Sequence, residues 1–407
     1  MVKMKHAVPH EWTWHQLSEF LEFKNGISWG KESYGSGVKF VNVLDVLNNT
    51  FITSSKIIGS VSLELSKVQS SLVTKGDILF NRTSETAGEI GLTSVYLDDA
   101  PAVFGGFVIR ARPKRDLLLD SFKKYCFLGS YFRKQVVAMG QGAIRTNIGQ
   151  CDLEKAWLLV PPQNEQKKVA EVIEVFDKAI ETTRELISEK GVLRAALMQQ
   201  LLTGKKRLPG FNNKWKTKAL KEALVPASRP VGVPDSTFLG LGIRSHGKGT
   251  FLKHEFDPSK IEMDTLYEVR ENDLIVNITF AWEGAIAIAG PQDHGALVSH
   301  RFPTFTFNSE EAIVDYFRYI ILQPRFKYLL GLISPGGAGR NRVLSKTDFL
   351  KLELKLPGED EQIAIATVLK STDAELDLLR QKLEALREQK RGLMQKLLIG
   401  QIRVKTS

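Results

Sequence analysis

The amino-acid sequence repeats itself. The segment EQKKVAEVIEVFDKAIETTRELISEKGVLRAALMQQLLTGKKRL from Glu165 lies without a gap over EQIAIATVLKSTDAELDLLRQKLEALREQKRGLMQKLLIGQIRV from Glu361, a shift of 196 residues. Identical pairs include Glu165 and Glu361, Gln166 and Gln362, Asp177 and Asp373, Arg184 and Arg380, and the run Leu197, Met198, Gln199 over Leu393, Met394, Gln395. Both copies close on Leu-Leu-x-Gly, at Gly204 and Gly400. The same shift lays Asp77, Asn81, Thr83 and Gly88 of GDILFNRTSETAG over Asp273, Asn277, Thr279 and Gly284 of NDLIVNITFAWEG. Similarity at a fixed long period means two copies of one structural unit. One copy runs from about Trp12 to Leu208 and the other from about Trp215 to Val404, joined by the basic, turn-rich stretch GKKRLPGFNNK.

Each copy ends in a heptad pattern. Val169, Ile173, Phe176, Ile180, Thr183, Ile187, Lys190, Arg194, Leu197 and Leu201 recur at alternating steps of four and three, and Ile365, Leu369, Thr372, Leu376, Leu379, Leu383, Leu386, Lys390, Leu393 and Leu397 keep the same register. That is the seam of a coiled coil, whose apolar members are predicted to serve helix packing and partner docking while the polar ones fix register. Pro161-Pro162 and Pro357-Gly358 stop the preceding strands, and Glu165 and Glu361 fall in the first helical turn, where acidic groups offset the dipole. A helix from Gln163 to Thr203 spans about 60 Å at about 1.5 Å per residue. Packed antiparallel, two such helices would hold two globular regions at opposite ends about a pseudo-twofold axis, a geometry suited to two half-sites on duplex DNA. The alternative is two separate amphipathic helices, each lying on its own domain.

The remainder of each copy mixes strand and loop. β-branched runs such as Ile78 to Phe80 and Leu274 to Ile278 stand between Gly and Asn turns, and one helix is predicted in each copy, Ser121 to Met139 and Glu310 to Ile333, the latter kinked or split at Pro324. The fold class is therefore α+β, with mixed and antiparallel β cores. The predicted boundaries are a first domain at 1–160, a central helix at 161–208, a second domain at 209–357 and a C-terminal helix at 358–407.

Catalytic chemistry finds little support. Cys126 and Cys151 are the only cysteines, too few for a disulfide framework, and with the seven scattered histidines they offer no metal-ligand spacing, so neither a metal nor a cofactor is expected. GIRSHGKG, from Gly242, has the spacing of a phosphate loop, yet Gly249 stands where Ser or Thr would hold magnesium. The sequence has no Asn-Pro-Pro-aromatic or Asp-Pro-Pro-aromatic tetrapeptide of the kind an amino-methyltransferase uses, and Pro234-Asp235 lies too far from Glu353-Leu-Lys355 for a nuclease signature. A net charge of +10 favours a polyanionic partner. No apolar stretch approaches the roughly 20 residues that span a bilayer, which predicts a soluble, cytoplasmic protein without a membrane partner.

At the helices the chain resembles the specificity (S) subunits of Type I restriction-modification systems. The resemblance covers nearly the whole chain and rests on the Pro-x-x-x-Glu-Gln openings that end at Gln166 and Gln362, and on Leu-Met-Gln-x-Leu-Leu-x-Gly at Leu197 to Gly204 and Leu393 to Gly400. GDILFNR and the Gly-rich segments GQGAIRTNI and GGAGRNRVL resemble family features too. The resemblance implies two target-recognition domains on antiparallel spacer helices, reading an asymmetric bipartite DNA target. It further implies partnership with double-stranded DNA, two methyltransferase (modification) subunits and restriction/translocase subunits, with no catalysis by the chain itself. Two other readings stay open: a specificity subunit of another methyltransferase-linked restriction system, and a coiled-coil scaffold that binds proteins.

Base edges are read by Arg, Lys, Asn, Gln and hydroxyl side chains. The candidates in the first domain are Arg82, Thr83, Arg145, Thr146 and Asn147, with Lys31, Ser36 and Lys39 as weaker ones. Those in the second are Arg244, His246, Lys248, Asn277, Thr279, Arg340, Asn341 and Arg342. For each, the plainer role is a solvated turn residue, and for Asn81 and Asn277 turn formation is the simpler reading. Asp77 and Asp273, which phosphate would repel, are read as structural.

Overall fold

A short buried strand, Ile78–Asn81 in the first copy and Leu274–Val276 in the second, forms where the apolar runs predict it. The computed structural model describes residues 8–28, 30–63, 71–142, 144–336 and 342–405. The chain divides into two compact units. Unit 1 takes residues 1–184 with 381–407, and unit 2 takes 185–380.

In unit 1 a five-stranded sheet runs in the order Leu21–Asn25, Val108–Pro113, Ile78–Asn81, Thr93–Tyr96, Phe51–Ile52. Its last pair is parallel and the others antiparallel. A four-stranded sheet, in the order Ser60–Val61, Tyr34–Val41, Ala102–Phe104, Leu72–Val73, shares a small core with it, in which Val41, Val73, Ala102 and Phe104 join Ile52, Leu79, Tyr96 and Val108. Helices α1 (Val43–Asn48), α2 (Asp120–Cys126), α3 (Ser130–Met139) and α4 (Gln150–Lys155) complete the globular part. The rings of Phe80, Phe127 and Phe132 meet at 5.1–6.4 Å in its main core.

Unit 2 has a four-stranded sheet in the order Leu224–Ala227, Thr304–Phe307, Leu274–Val276, Ile286–Ile288, and a five-stranded one in the order Pro230–Gly232, Thr265–Glu268, Leu297–Val298, Phe238–Ile243, Thr250–Phe256. The expectation of one helix per copy needs correction. The predicted helix Ser121 to Met139 breaks between α2 and α3, where Gly129 is extended (ψ 139°) and lies so close to the end of the chain that a Cβ there would stand 3.3 Å from Leu398 Cβ. The second predicted helix is split at Pro324, one of the two outcomes that the proline predicts: one helix runs Val314–Ile320 and another starts at Pro324, whose fixed φ and missing N–H suit the first helical position.

The two heptad tails are continuous helices of 39 residues, Gln163–Leu201 and Glu359–Leu397. With Leu220–Ala223, Val314–Ile320, Pro324–Leu332 and Lys346–Lys351, chain order makes them α5, α6 (Leu220–Ala223), α7 (Val314–Ile320), α8 (Pro324–Leu332), α9 (Lys346–Lys351) and α10 (Glu359–Leu397). Within unit 1, Val169, Ala170 and Ile173 near the start of α5 share a core with Leu397 and Leu398 at the end of α10. Within unit 2, Leu201 and Leu202 share one with Ile365, Ala366 and Leu369. The helices thus run antiparallel inside each unit.

Of the predicted seam residues, Ile173, Ile180, Leu201, Leu369, Leu376, Leu383 and Leu397 are buried, and Ile187, Leu197 and Leu393 half-buried. Burying each fully would contribute about 1.5–3 kcal/mol. The seam threonines turn inward without an unpaired hydroxyl: Thr183 Oγ1 donates to Ala179 O at 2.7 Å and Thr372 Oγ1 to Val368 O at 2.9 Å.

Candidate nucleic-acid interface

The repeat preserves a buried polar frame. Trp12 Nε1 donates to Glu165 Oε2 at 2.8 Å and Trp215 Nε1 to Glu361 Oε2 at 3.0 Å. Each carboxylate also accepts a two-pronged guanidinium from beyond the end of the other long helix: Arg403 grips Glu165 at 2.6 and 2.9 Å, and Arg207 grips Glu361 at 2.5 and 2.6 Å. Glu165 holds the Arg403 guanidinium above its usual range, with Glu11 adding to the effect. The neighbouring Gln166 and Gln362 satisfy backbone groups at the helix starts, accepting from Leu119 N and Ile313 N and donating to Pro161 O and Pro357 O. This accounts for the Glu-Gln pair. About three turns further along, Asp177 accepts from Tyr125 Oη and Lys390, and Asp373 from Tyr319 Oη and Arg194.

A second shared device sits beneath the central strands. Asp77 accepts Thr74 N at 2.8 Å and both prongs of Arg112 at 2.9 and 2.7 Å. Asp273 accepts Arg270 N at 2.8 Å and both prongs of Arg229 at 2.6 and 3.1 Å. Asn81 Oδ1 then accepts Thr83 N at 3.2 Å, and Asn277 Oδ1 accepts Thr279 N at 3.1 Å, so both asparagines close turns after their strands.

On this frame unit 1 gathers its five candidates. The strand Thr83–Ser84 pairs antiparallel with Thr146–Asn147, and Thr83 Oγ1 donates to Asn147 Oδ1 at 2.7 Å. Arg82 Nη1 donates to Gly106 O at 3.2 Å, and its carbonyl accepts Ile148 N. Arg145 pairs with Glu85 at 3.0 Å with both side chains more than half exposed, a contact that solvent screens and an incoming phosphate or base could replace at little cost. The turn requires Gly142, since a Cβ there would meet Arg145 O at 2.1 Å on top of a φ of 121°. Exposed Phe107 and Ile144 flank the cluster. Of the weaker candidates, Ser36 is exposed and Lys39 donates to Ile57 O.

From α3, Arg133 Nη2 holds the turn from below, donating to Gly88 O at 2.9 Å and Ile90 O at 2.7 Å. It meets no carboxylate among the described residues, and burial pushes its pKa down to about 10.

Unit 2 builds a different surface at the matching place. The loop from Arg244 to Gly249 connects the antiparallel strands Phe238–Ile243 and Thr250–Phe256 as a hairpin rather than leading into a helix, so its phosphate-loop spacing has no phosphate-loop structure. His246 N donates to Glu283 O and Gly247 N to Gly284 O, knitting the loop to the turn that follows Asn277. His246 takes a φ of 64°, and Lys327 of α8 approaches its Nδ1 at 3.2 Å. Arg244 donates to Thr250 O and faces the Phe251 ring at 5.3 Å, and Lys248 is exposed. Thr279 O accepts Trp282 Nε1, and Arg342 stands 5.3 Å over the Trp282 ring. Leu344 N donates to Ile278 O, the counterpart of the Ile148 to Arg82 bond. Arg340 and Asn341 lie outside the described residues.

Sequence reasoning did not anticipate Arg133, Lys327, Tyr125 or Tyr319. The 196-residue shift does single out the two aspartates that the tyrosines bind. Among the described residues no group of three or more His, Cys, Asp or Glu side chains could hold a metal, and no helix is long and apolar enough to cross a membrane.

Comparison with known proteins agrees with this architecture. The putative type I restriction enzyme MjaX specificity subunit of Methanocaldococcus jannaschii is 23% identical over 98% of this chain and 95% of its own length. The crystal structure of the HsdS subunit from Thermoanaerobacter tengcongensis shares the fold at 15% identity and a TM-score of 0.56, covering 99% of this chain and all of that one. A further chain, from a structure concerned with assembly and conformational transition of the type I R-M system, does so at 15% identity and a TM-score of 0.62 over 98% of this chain and all of that one. The model of the Type I restriction modification DNA specificity domain matches residues 9–189 and 251–388, and the chain belongs to that family.

Proposed function

We propose that the chain is the DNA sequence-specificity subunit of a Type I restriction-modification complex acting in the cytoplasm. It reads an asymmetric bipartite target, one half-site through each of the recognition domains 1–160 and 209–357. It positions two methyltransferase subunits on that target, restriction and translocase subunits join them, and the chain contributes no catalytic group of its own.

One observation supports this most. The two units share a buried frame, Asp77 and Asp273, Asn81 and Asn277, Glu165 and Glu361, but differ at the surface mounted on it. Thr83, Arg145 and Asn147 cluster in one, while Arg244, His246, Thr279 and Arg342 lie around the matching turn of the other. Like frames with unlike hydrogen-bonding surfaces suit two unlike half-sites, and each misread base pair would cost about 1–3 kcal/mol. The test is to replace Thr83, Arg145 and Asn147 together by alanine, express the chain with its methyltransferase, and map methylated adenines across a genome. Relaxed recognition in one half of the target is the expected outcome. Relaxation in both halves, or in neither, would defeat the assignment.

A further inference from the structure

Unit 1 contains a cleft of about 770 Å3 that the readout cluster does not use. Residues 48–56, α2 and the portions of α5 and α10 that belong to this unit form its walls. Seven basic side chains line it against three acidic ones.

Scaffold contacts explain only part of that charge. Lys390 is held by Asp177, Lys124 by Glu174, Arg184 by Glu181 and Arg387 by Glu384. Lys178 and Arg391 are exposed and meet no carboxylate among the described residues. Lys56 and Lys124 crowd one ring, their ammonium groups 3.5 and 4.9 Å from the Phe51 centroid. Burial holds the Lys56 ammonium below the usual lysine range; the charge of Lys124 adds to this and Glu181 opposes it.

Helix pairing does not require these charges. In the repeat register Lys178, Arg387 and Arg391 correspond to Ala374, Gly191 and Ala195. The packing residues Tyr125, Asp177 and Lys390 do have counterparts, Tyr319, Asp373 and Arg194, which make matching contacts in unit 2. The three additional cations are therefore peculiar to unit 1. Like charges gathered in a concavity repel until an anion neutralises them, and such a cavity focuses the field on that anion. Ammonium and guanidinium groups converging from separate walls suit phosphate oxygens spaced along a chain.

We infer that this cleft binds a phosphate-bearing oligoanion, either consecutive phosphates of a nucleic-acid backbone or a free polyphosphate chain. The site lies apart from base readout and does not depend on which sequence the chain recognises.

The test is calorimetric titration of the full chain with tripolyphosphate. The Lys178→Glu/Arg391→Glu variant is compared with Lys205→Glu/Lys206→Glu, which changes net charge equally through exposed lysines outside the cleft. Saturable binding is expected, weakened about tenfold or more by the cleft variant and less than about twofold by the control. Should the cleft variant lose its melting transition, Lys178→Ala/Arg391→Ala replaces it, with a loss of about threefold expected. A competing duplex of about 30 base pairs separates the two sources: displacement of tripolyphosphate assigns the cleft to backbone phosphates, and its retention assigns the cleft to a free polyphosphate. No saturable binding by the unaltered chain, or equal weakening by both charge reversals, overturns the site.

Discussion

Asp77 has almost no exposed surface, yet it carries a charge at the base of the strand that leads into the readout turn. Arg112 makes that burial tolerable through two hydrogen bonds, and the carboxylate raises the Arg112 guanidinium above its ordinary range. The second unit retains the aspartate and draws its guanidinium from elsewhere: Arg229 serves Asp273, while the position matching Arg112 is Asn308. What the fold needs is therefore a neutralised carboxylate that accepts the turn's N–H, rather than a cation at one fixed sequence position. Arg112→Ala should destabilise unit 1 by about 3–5 kcal/mol, because it strands a buried charge. Urea unfolding followed by tryptophan fluorescence measures this, and adding Asp77→Asn should restore part of the loss. A double variant no more stable than Arg112→Ala would mean that the guanidinium acts by packing instead of by neutralising Asp77.

The long helices were legible as elements because a heptad declares itself locally, within four residues at a time. Their ends were legible too, through Leu-Leu-x-Gly, and the structure gives the reason: Gly204 and Gly400 have φ of 69° and 71°, the left-handed conformation that ends a helix. Their surroundings differ. A Cβ on Gly204 would sit 3.4 Å from the Trp215 ring, whereas one on Gly400 would press to 2.7 Å against Pro9. Gly204→Ala should therefore cost about 1 kcal/mol from backbone conformation, and Gly400→Ala about 1–3 kcal/mol more from overpacking. Denaturation midpoints of the two variants decide it, and equal losses would show that the chain near Pro9 yields freely. Contacts across long sequence separations were not legible. Trp12 and Glu165 are 153 residues apart, and nothing local marks them as partners. Two-residue strands such as Thr83–Ser84 and Thr146–Asn147 are too short for any periodicity, so the candidates in them could be named from residue type and turn chemistry but not brought together. The break between α2 and α3 escaped for a related reason, since its tight neighbour, Leu398, lies at the other end of the chain.

At the scale of the molecule, neither unit is a contiguous copy of the repeat. Unit 1 needs the end of α10 beside the start of α5, and unit 2 needs the end of α5 beside the start of α10. Each holds its own cross-helix pairs, Asp177 with Lys390 in one, and Asp373 with Arg194 and Glu375 with Lys190 in the other. Lengthening one helix alone between Arg184 and Glu185 must therefore either loop out the insert or sacrifice one set of pairs. One heptad inserted there and another between Arg380 and Gln381 leaves every pair within its unit in register. The matched variant should melt within a few degrees of the parent and the single insertion well below it. On the proposed reading the two helices also set the gap between half-sites, and seven residues at about 1.5 Å each correspond to roughly three base pairs of rise. Methylome mapping of the matched variant should then lose every site with the parental gap, and any target regained should be longer by about that amount. If a stably folded matched variant goes on methylating sites with the parental gap, helix length does not measure the DNA, and the separation of the half-sites must be set by the partner subunits.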